Sequence, residues 1–228
     1  MLLTVDAPIA DKVSLLAMHF SGLQNGEHSA ELWKIIESLC EDIRSSYTTP
    51  SQAHDLLKPA RQLYRRLGMD PTHSRPSSEA LIRRIIQKKD LYRVNTLVDI
   101  GNLVSLAIQL PIGIYDKQCI SGDVSCRLGR KGEFFKGIGK SQVNLDERIC
   151  LADQKGPFGN PSSDSFRTRV TLDTRNILFV VFAPTNLFEL SVFETIIFLV
   201  QTSMDFYAHG KLESVQCISE LTDKQYTN

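Results

Sequence analysis

Long apolar runs are missing from this sequence. The longest, Ile177–Ala183 and Ile196–Val200, fall far short of the roughly twenty residues a bilayer span needs, so no membrane segment is expected. Cysteine is sparse. Cys40, Cys119, Cys126, Cys150 and Cys217 are odd in number and contain no Cys-x-x-Cys, which argues against a disulfide framework and against a zinc site. Histidines 19, 28, 54, 73 and 209 never fall at ligand spacing, and neither a metal nor a cofactor is expected. An excess of charge is missing too, since 26 Lys and Arg meet 26 Asp and Glu. Bulk charge therefore holds no nucleic acid, and any RNA contact has to come from a local basic face. No basic segment followed by an apolar one opens the chain, where Asp6 and Pro8 come early, so no signal peptide and a cytoplasmic location are expected. A Gly-x-Ser-x-Gly nucleophile elbow is absent. Gly139-Lys140-Ser141 ends like a phosphate-binding loop, but Phe134 stands where that loop needs its first glycine. ATP binding is excluded, and a turn between strands is expected there.

What is present is an ordinary globular pattern. With 228 residues, the chain is long enough to bury a core as one large domain or two small interlocked ones. Leu15–Phe20 is an apolar run of strand length. Leu32, Ile35, Ile36, Leu39 and Ile43 recur at helical spacing behind Ser29, a candidate N-cap. A second helix is predicted from near Pro59 through Leu63, Tyr64 and Leu67, stopping at Gly68. A third follows Pro76 and buries Leu81, Ile82, Ile85 and Ile86. A fourth runs from about Leu97 to Ile108 and is closed by Pro111.

The period then changes to two. Val124, Cys126 and Leu128 alternate with polar neighbours, and so do Phe166, Thr168 and Val170, predicting two half-buried strands. Ile177–Ala183 is continuously apolar, as a strand covered on both faces should be. A last helix aligns Phe193, Ile196, Ile197, Val200 and Met204, and residues past Leu212 read as a loosely held tail. The expectation is an α+β fold: helix-rich 1–110 intertwined with strand-rich 111–210, then a tail over 211–228.

Three stretches carry candidate chemistry. Residues 156–165 hold Gly156, Gly159, two prolines and Ser162, Ser163 and Ser165 between strand-like segments. A loop of that composition lets a ligand approach its backbone and offers hydroxyl and N–H donors; alternatively, Asp164 and the serines satisfy their own turn. Asp99-Ile100-Gly101-Asn102 opens the fourth helix. Glycine costs about 1 kcal/mol there against alanine, so close packing or a ligand on the helix surface has to justify it. Asn102 either holds a substrate amine or carbonyl or is a satisfied core amide. Arg83, Arg84, Lys88, Lys89 and Arg93 form the densest basic cluster, which a polyanion or plain solvent would satisfy.

Arg93–Val104, then Gln109-Leu110-Pro111-Ile112-Gly113-Ile114-Tyr115-Asp116, resemble a stretch of the phenylalanyl-tRNA synthetase β subunit. The likeness continues through Gly122-Asp123-Val124, Arg127, Gly132-Glu133, Leu151-Ala152-Asp153, Gly156-Pro157 and Thr174–Leu178, over roughly residues 60–210. Ser163–Thr171 is similar to the free-standing branch of that family. No segment resembles the synthetase's ATP-binding core, so amino-acid activation is not expected.

The resemblance implies a single B3/B4-like domain, a mixed-sheet or sandwich core flanked by helices. It also implies a pocket for the 3′ aminoacyl end of a mischarged tRNA, hydrolysed by water. In the family a Thr-Asn pair, a His and a Glu line this pocket. Asn102 matches the Asn, while Gly101, Gly113 and Val180 stand at the other three positions. The implied binding residues are Gly101, Asn102, Gly113, Gly159, Asn160, Ser162, Ser163, Asp164, Ser165 and Arg167. Arg83, Arg84, Lys88, Lys89 and Arg169 are implied to meet RNA phosphates. Three activities are compatible with this reading: editing of aminoacyl-tRNA in trans, binding of a tRNA end or free amino acid without cleavage, or a scaffold whose pocket is filled by side chains.

Overall fold

The computed structural model of the protein describes residues 1–139, 142–185, 190–219 and 222–227. In chain order the elements are β1 (Leu3–Val5), α1 (Ala7–Ala10), β2 (Val13–Ser21), α2 (Ala30–Ser46), α3 (His54–Arg66), α4 (Ser77–Ile86), α5 (Thr96–Ile108) and β3 (Ile112–Asp116). There follow β4 (Val124–Leu128), β5 (Phe134–Phe135), β6 (Val143–Asn144), β7 (Ile149–Asp153), β8 (Gly156–Asn160), β9 (Ser163–Asp164), β10 (Ile177–Pro184), α6 (Leu190–Ala208), β11 (Lys211–Ser219) and β12 (Thr222–Thr227).

The elements stack in three layers around β10. One five-stranded sheet has the order β12-β11-β2-β10-β3, a second β1-β4-β7-β8-β9, and β5 and β6 form a separate two-stranded sheet. Along β10 the side chains alternate: Ile177, Phe179, Val181 and Ala183 join the helical core, while Leu178, Val180 and Phe182 join the core between the sheets. That double burial is why its sequence is continuously apolar rather than alternating. β3 splits in the same way, with Ile112 and Ile114 on the helix side and Tyr115 on the sheet side. The result is an α+β molecule in which β1 and β2, from the helix-rich half, enter both sheets.

Local signals set the helix ends. Ser29 caps α2 by accepting from Leu32 N at 3.3 Å, and Asn95 caps α5 by accepting from Val98 N at 3.0 Å. Asp99 ties α2 to α5, its carboxylate accepting from Trp33 Nε1 at 2.6 Å and from Val94 N at 3.2 Å. Gln109 takes the left-handed C-cap of α5, two residues before Pro111.

Three expectations are corrected. α3 begins at His54, not near Pro59, because Ala53 and Leu57 are buried and extend the apolar stripe backwards; Pro59 then sits inside the helix. Residues 166–171 form no strand. Ser165 Oγ accepts from Arg167 N at 3.1 Å and folds them into a turn, so their alternation has another origin. Residues 211–219, expected to open a tail, form β11 against β2, with Leu212, Val215 and Cys217 buried. Gly139 does lie in a turn after β5, with φ 66°, while Lys140 and Ser141 fall outside the described residues.

Candidate functional site

The expected pocket residues are divided by β3. On its helical face, a Cβ at Gly101 would lie 2.4 Å from Ile114 Cδ1, so the glycine in α5 is explained by close packing on the sheet. Asn102 is half-buried one residue further along the helix. On the opposite face, Gly113 is paired with Val180 across β10. A Cβ at Gly113 would meet the Tyr115 hydroxyl at 2.0 Å, and one at Gly159 would meet the same oxygen at 2.2 Å. Tyr115 is fully buried, edge-on to Phe158 at 4.9 Å between ring centroids. Its hydroxyl fills the space that side chains at 113 and 159 would occupy. Val180 is likewise fully buried.

The Tyr115 oxygen interacts with Asp164, yet among the described residues neither it nor Asp164 Oδ1 has a hydrogen-bond partner of ordinary geometry. Burial pushes the Asp164 carboxyl up to about 7 and the Tyr115 phenol well above its usual range.

The other face of the 156–165 segment borders an open cavity of about 420 Å³, lined among others by Tyr64, Arg75, Ser77, Arg148, Asn160 and Ser162. α3 supplies Tyr64 and the start of α4 supplies Ser77. Ser162 Oγ donates to Arg75 O at 2.8 Å and is in contact with the Tyr64 hydroxyl. Its proton is thereby committed, and Tyr64 is the donor of that pair. Burial raises the Tyr64 phenol, which keeps it protonated. Among the described residues, Ser77 Oγ is buried without a partner. Asn160 Oδ1 accepts from both Ser162 N and Ser163 N at 2.8 Å. Those two N–H groups close their own turn and are not free for a ligand oxygen, whereas the hydroxyl of Ser162 and the cations Arg75 and Arg148 line the cavity.

The expected phosphate contacts have prior commitments. Arg167 grips the buried Asp153 carboxylate with two bonds of 2.9 Å and also donates to Cys119 O and Gly156 O. Arg83 and Arg61 converge on Glu79, whose side chain is 1% exposed, and the cavity's Arg75 holds its Nε 3.9 Å from the same carboxylate. Burial would raise Glu79, but Arg61 and Arg83 outweigh it and hold the carboxyl below its usual range. Arg84 lies 4.0 Å over the Tyr92 ring, and Lys88 and Lys89 are exposed at the end of α4. Arg169 lies 3.6 Å over the exposed Phe166. Ser165 is buried and donates its backbone N–H to Phe158 O.

Tyr64, Arg75 and Arg148 were not singled out from sequence; Tyr64 carried only its helical spacing, and the two arginines carried no local signal. Tyr115 was legible in principle, because Gly113 and Tyr115 fall two apart on a strand and so share a face.

Residues 59–189 match the family model described as the B3/4 domain, more than half of the chain. The chain belongs to the B3/4 domain family. Among curated proteins, this B3/4 domain is 32% identical over 109 residues to the phenylalanine–tRNA ligase β subunit of Cupriavidus pinatubonensis, covering 46% of this chain and 13% of that protein. It is 35% identical over 88 residues to the β subunit of Burkholderia pseudomallei, covering 37% and 11%. The chain thus corresponds to a small part of these relatives. An N-terminal fragment of the phenylalanyl-tRNA synthetase β subunit from Pyrococcus horikoshii superimposes with a TM-score of 0.53 over all of this chain and 54% of that one. At 16% identity the superposition speaks to fold alone. Among the described residues no helix is long and apolar enough to cross a membrane, and no cluster of His, Cys, Asp and Glu is arranged to hold a metal.

Proposed function

We propose that this B3/4 domain is an RNA-binding module that takes the 3′ end of a tRNA, with the terminal aminoacyl or nucleoside group in the cavity between α3, α4 and the 156–165 segment. The observation that carries this reading is a contrast between two places. The pocket positions that the resemblance implies are closed here, Gly101 by Ile114, Gly113 by Tyr115 and Val180 by its own burial, while a cavity of about 420 Å³ lined largely by polar residues stays open beside them. That volume falls within the range of small-ligand sites, about 300–1,000 Å³. Arg75 and Arg148 suit a phosphate or carboxylate, and Tyr64, Ser162 and Asn160 suit ribose hydroxyls or an amine. Arg84 on α4 and Lys88 and Lys89 just past its end extend a basic face for the acceptor stem.

Editing in trans is the second reading, favoured by the Ser162 and Tyr64 hydroxyls, which touch each other at the cavity wall and would orient a hydrolytic water. Purified protein titrated with a panel of charged and mischarged tRNAs separates the two. Saturable binding without deacylation is expected. Deacylation faster than in buffer, lost in Ser162→Ala, would transfer the assignment to a hydrolase; the absence of binding to any tRNA would remove both.

A further inference from the structure

Phe134 and Lys136 occupy alternate positions at β5 and just past it, both exposed, Phe134 by 54%, and Ile138 in the turn that follows is 51% exposed. Alternate residues of an extended segment share a face. Beside them runs the 165–169 turn, stitched on by Phe166 N donating to Lys136 O at 2.8 Å and by a bridge between Gly137 and Ser165. Phe166, 41% exposed, carries Lys136 Nζ at 4.7 Å from its ring centroid and Arg169 Cζ at 3.6 Å. Two exposed aromatic rings and two cations therefore lie on one surface of a chain whose net charge is zero.

The neighbouring acidic groups are already engaged. Glu133 is bound by both Nη atoms of Arg127 at 2.7 Å, and Asp146 accepts from Gly132 N. Among the described residues, neither Lys136 nor Arg169 sits in an ion pair. The surface also adjoins the cavity, because Phe134 pairs across β5 and β6 with Asn144, one of the cavity's lining residues.

We propose that Phe134, Lys136, Phe166 and Arg169 form a stacking strip for single-stranded RNA, which carries the nucleotides that precede the one held in the cavity. An exposed Phe ring and the outer plane of an Arg stacked on Phe both accept a nucleobase, and the two cations meet the intervening phosphates. Aromatic faces favour a nucleic acid over an acidic peptide, which would need only the charges. The strip rests on the tRNA-end reading for which strand it carries, but not for its affinity.

The test is fluorescence anisotropy with a short labelled oligouridylate, alongside the same strand in a duplex. The single strand binds and the duplex binds more weakly. Phe134→Ala and Phe166→Ala each weaken single-strand binding by about tenfold, and Lys136→Gln lowers the log–log salt slope by about 0.7. Phe134→Tyr and Phe166→Trp keep a stacking face and keep the affinity, and thermal melts verify that every variant is folded. No binding by the native protein, undiminished binding by both alanine variants, or equal competition by polyglutamate would each overturn the proposal. A parallel titration with an aminoacyl-adenosine analogue, too short to reach the strip, reads the cavity alone, so the two assignments fail separately.

Discussion

The Tyr115 side chain and the two glycines that face it are matched as one unit. Gly113→Ala places a methyl group against a ring that is buried on every side, and overpacking of this kind costs about 1–3 kcal/mol. Urea unfolding of Gly113→Ala is expected to show that loss, and most of it should vanish when the substitution is made in a Tyr115→Ala background. Additive costs would mean that the glycine serves some other purpose. The same packing explains why a pocket histidine at 113 would be incompatible with tyrosine at 115. Asp164, beside that tyrosine, makes a second residue-level prediction. Its carboxyl is raised by burial from 3.8 to about 7, so between those values the folded state holds a proton that the unfolded state has lost. Its contribution is complete below pH about 4 and is lost as pH rises through about 7. Asp164→Asn should therefore be the more stable protein above pH 7, with the gap to the native chain closing in acid. An unchanged difference across the pH series would refute the assignment.

At the scale of elements, the sequence shows periodicity well and pairing poorly. α2 was readable from its helical period, β10 from its unbroken apolar run, and α5 from its apolar content and the Pro111 that closes it. The 166–171 segment misled for a definite reason. Its alternation comes from Thr168 pointing inward at a turn while Arg167 reaches sideways to Asp153, a partner fourteen residues away that no local pattern announces. The candidate site suffers from the same limit. Ser162 was visible as a loop donor, but its neighbours Tyr64, Arg75 and Arg148 come from three other stretches of chain. Arg167 anchors the turn rather than greeting a ligand. Burial would raise the Asp153 carboxyl, but Arg167 and the backbone N–H of Ser121 hold it below its usual range. Arg167→Ala leaves that carboxylate buried and unpaired and should cost about 3–5 kcal/mol in denaturant unfolding. Arg167→Lys should recover only part, since a point charge does not reproduce two parallel bonds and the two carbonyl contacts. A loss within 0.5 kcal/mol of zero, roughly the range of an exposed surface substitution, would return Arg167 to the list of available phosphate contacts.

At the scale of the whole molecule, the last part of the chain decides whether the three layers close. β11 runs antiparallel to β2 from Lys211 to Ile218 and buries Leu212, Val215 and Cys217 against the helical core. β2 is the middle of its sheet only because β11 is there. Without it, Val13–Ser21 would become an edge whose side chains are buried along almost its whole length, and an exposed apolar edge templates association with another chain. The energetic loss points the same way. Each large apolar side chain removed from burial is worth about 1.5–3 kcal/mol, and a domain's entire stability is only about 5–15 kcal/mol. A chain ended at Gly210 should therefore be insoluble, or soluble only as a loosely packed species without cooperative unfolding. A chain ended at Ser219 keeps β2 covered and should unfold cooperatively. Solubility on expression, followed by thermal melts of whatever is soluble, distinguishes the two truncations. Equal melting of the Gly210 truncation and the full chain would mean that the helical layer and β10 hold the sheet unaided, and that residues 211–219 are dispensable after all.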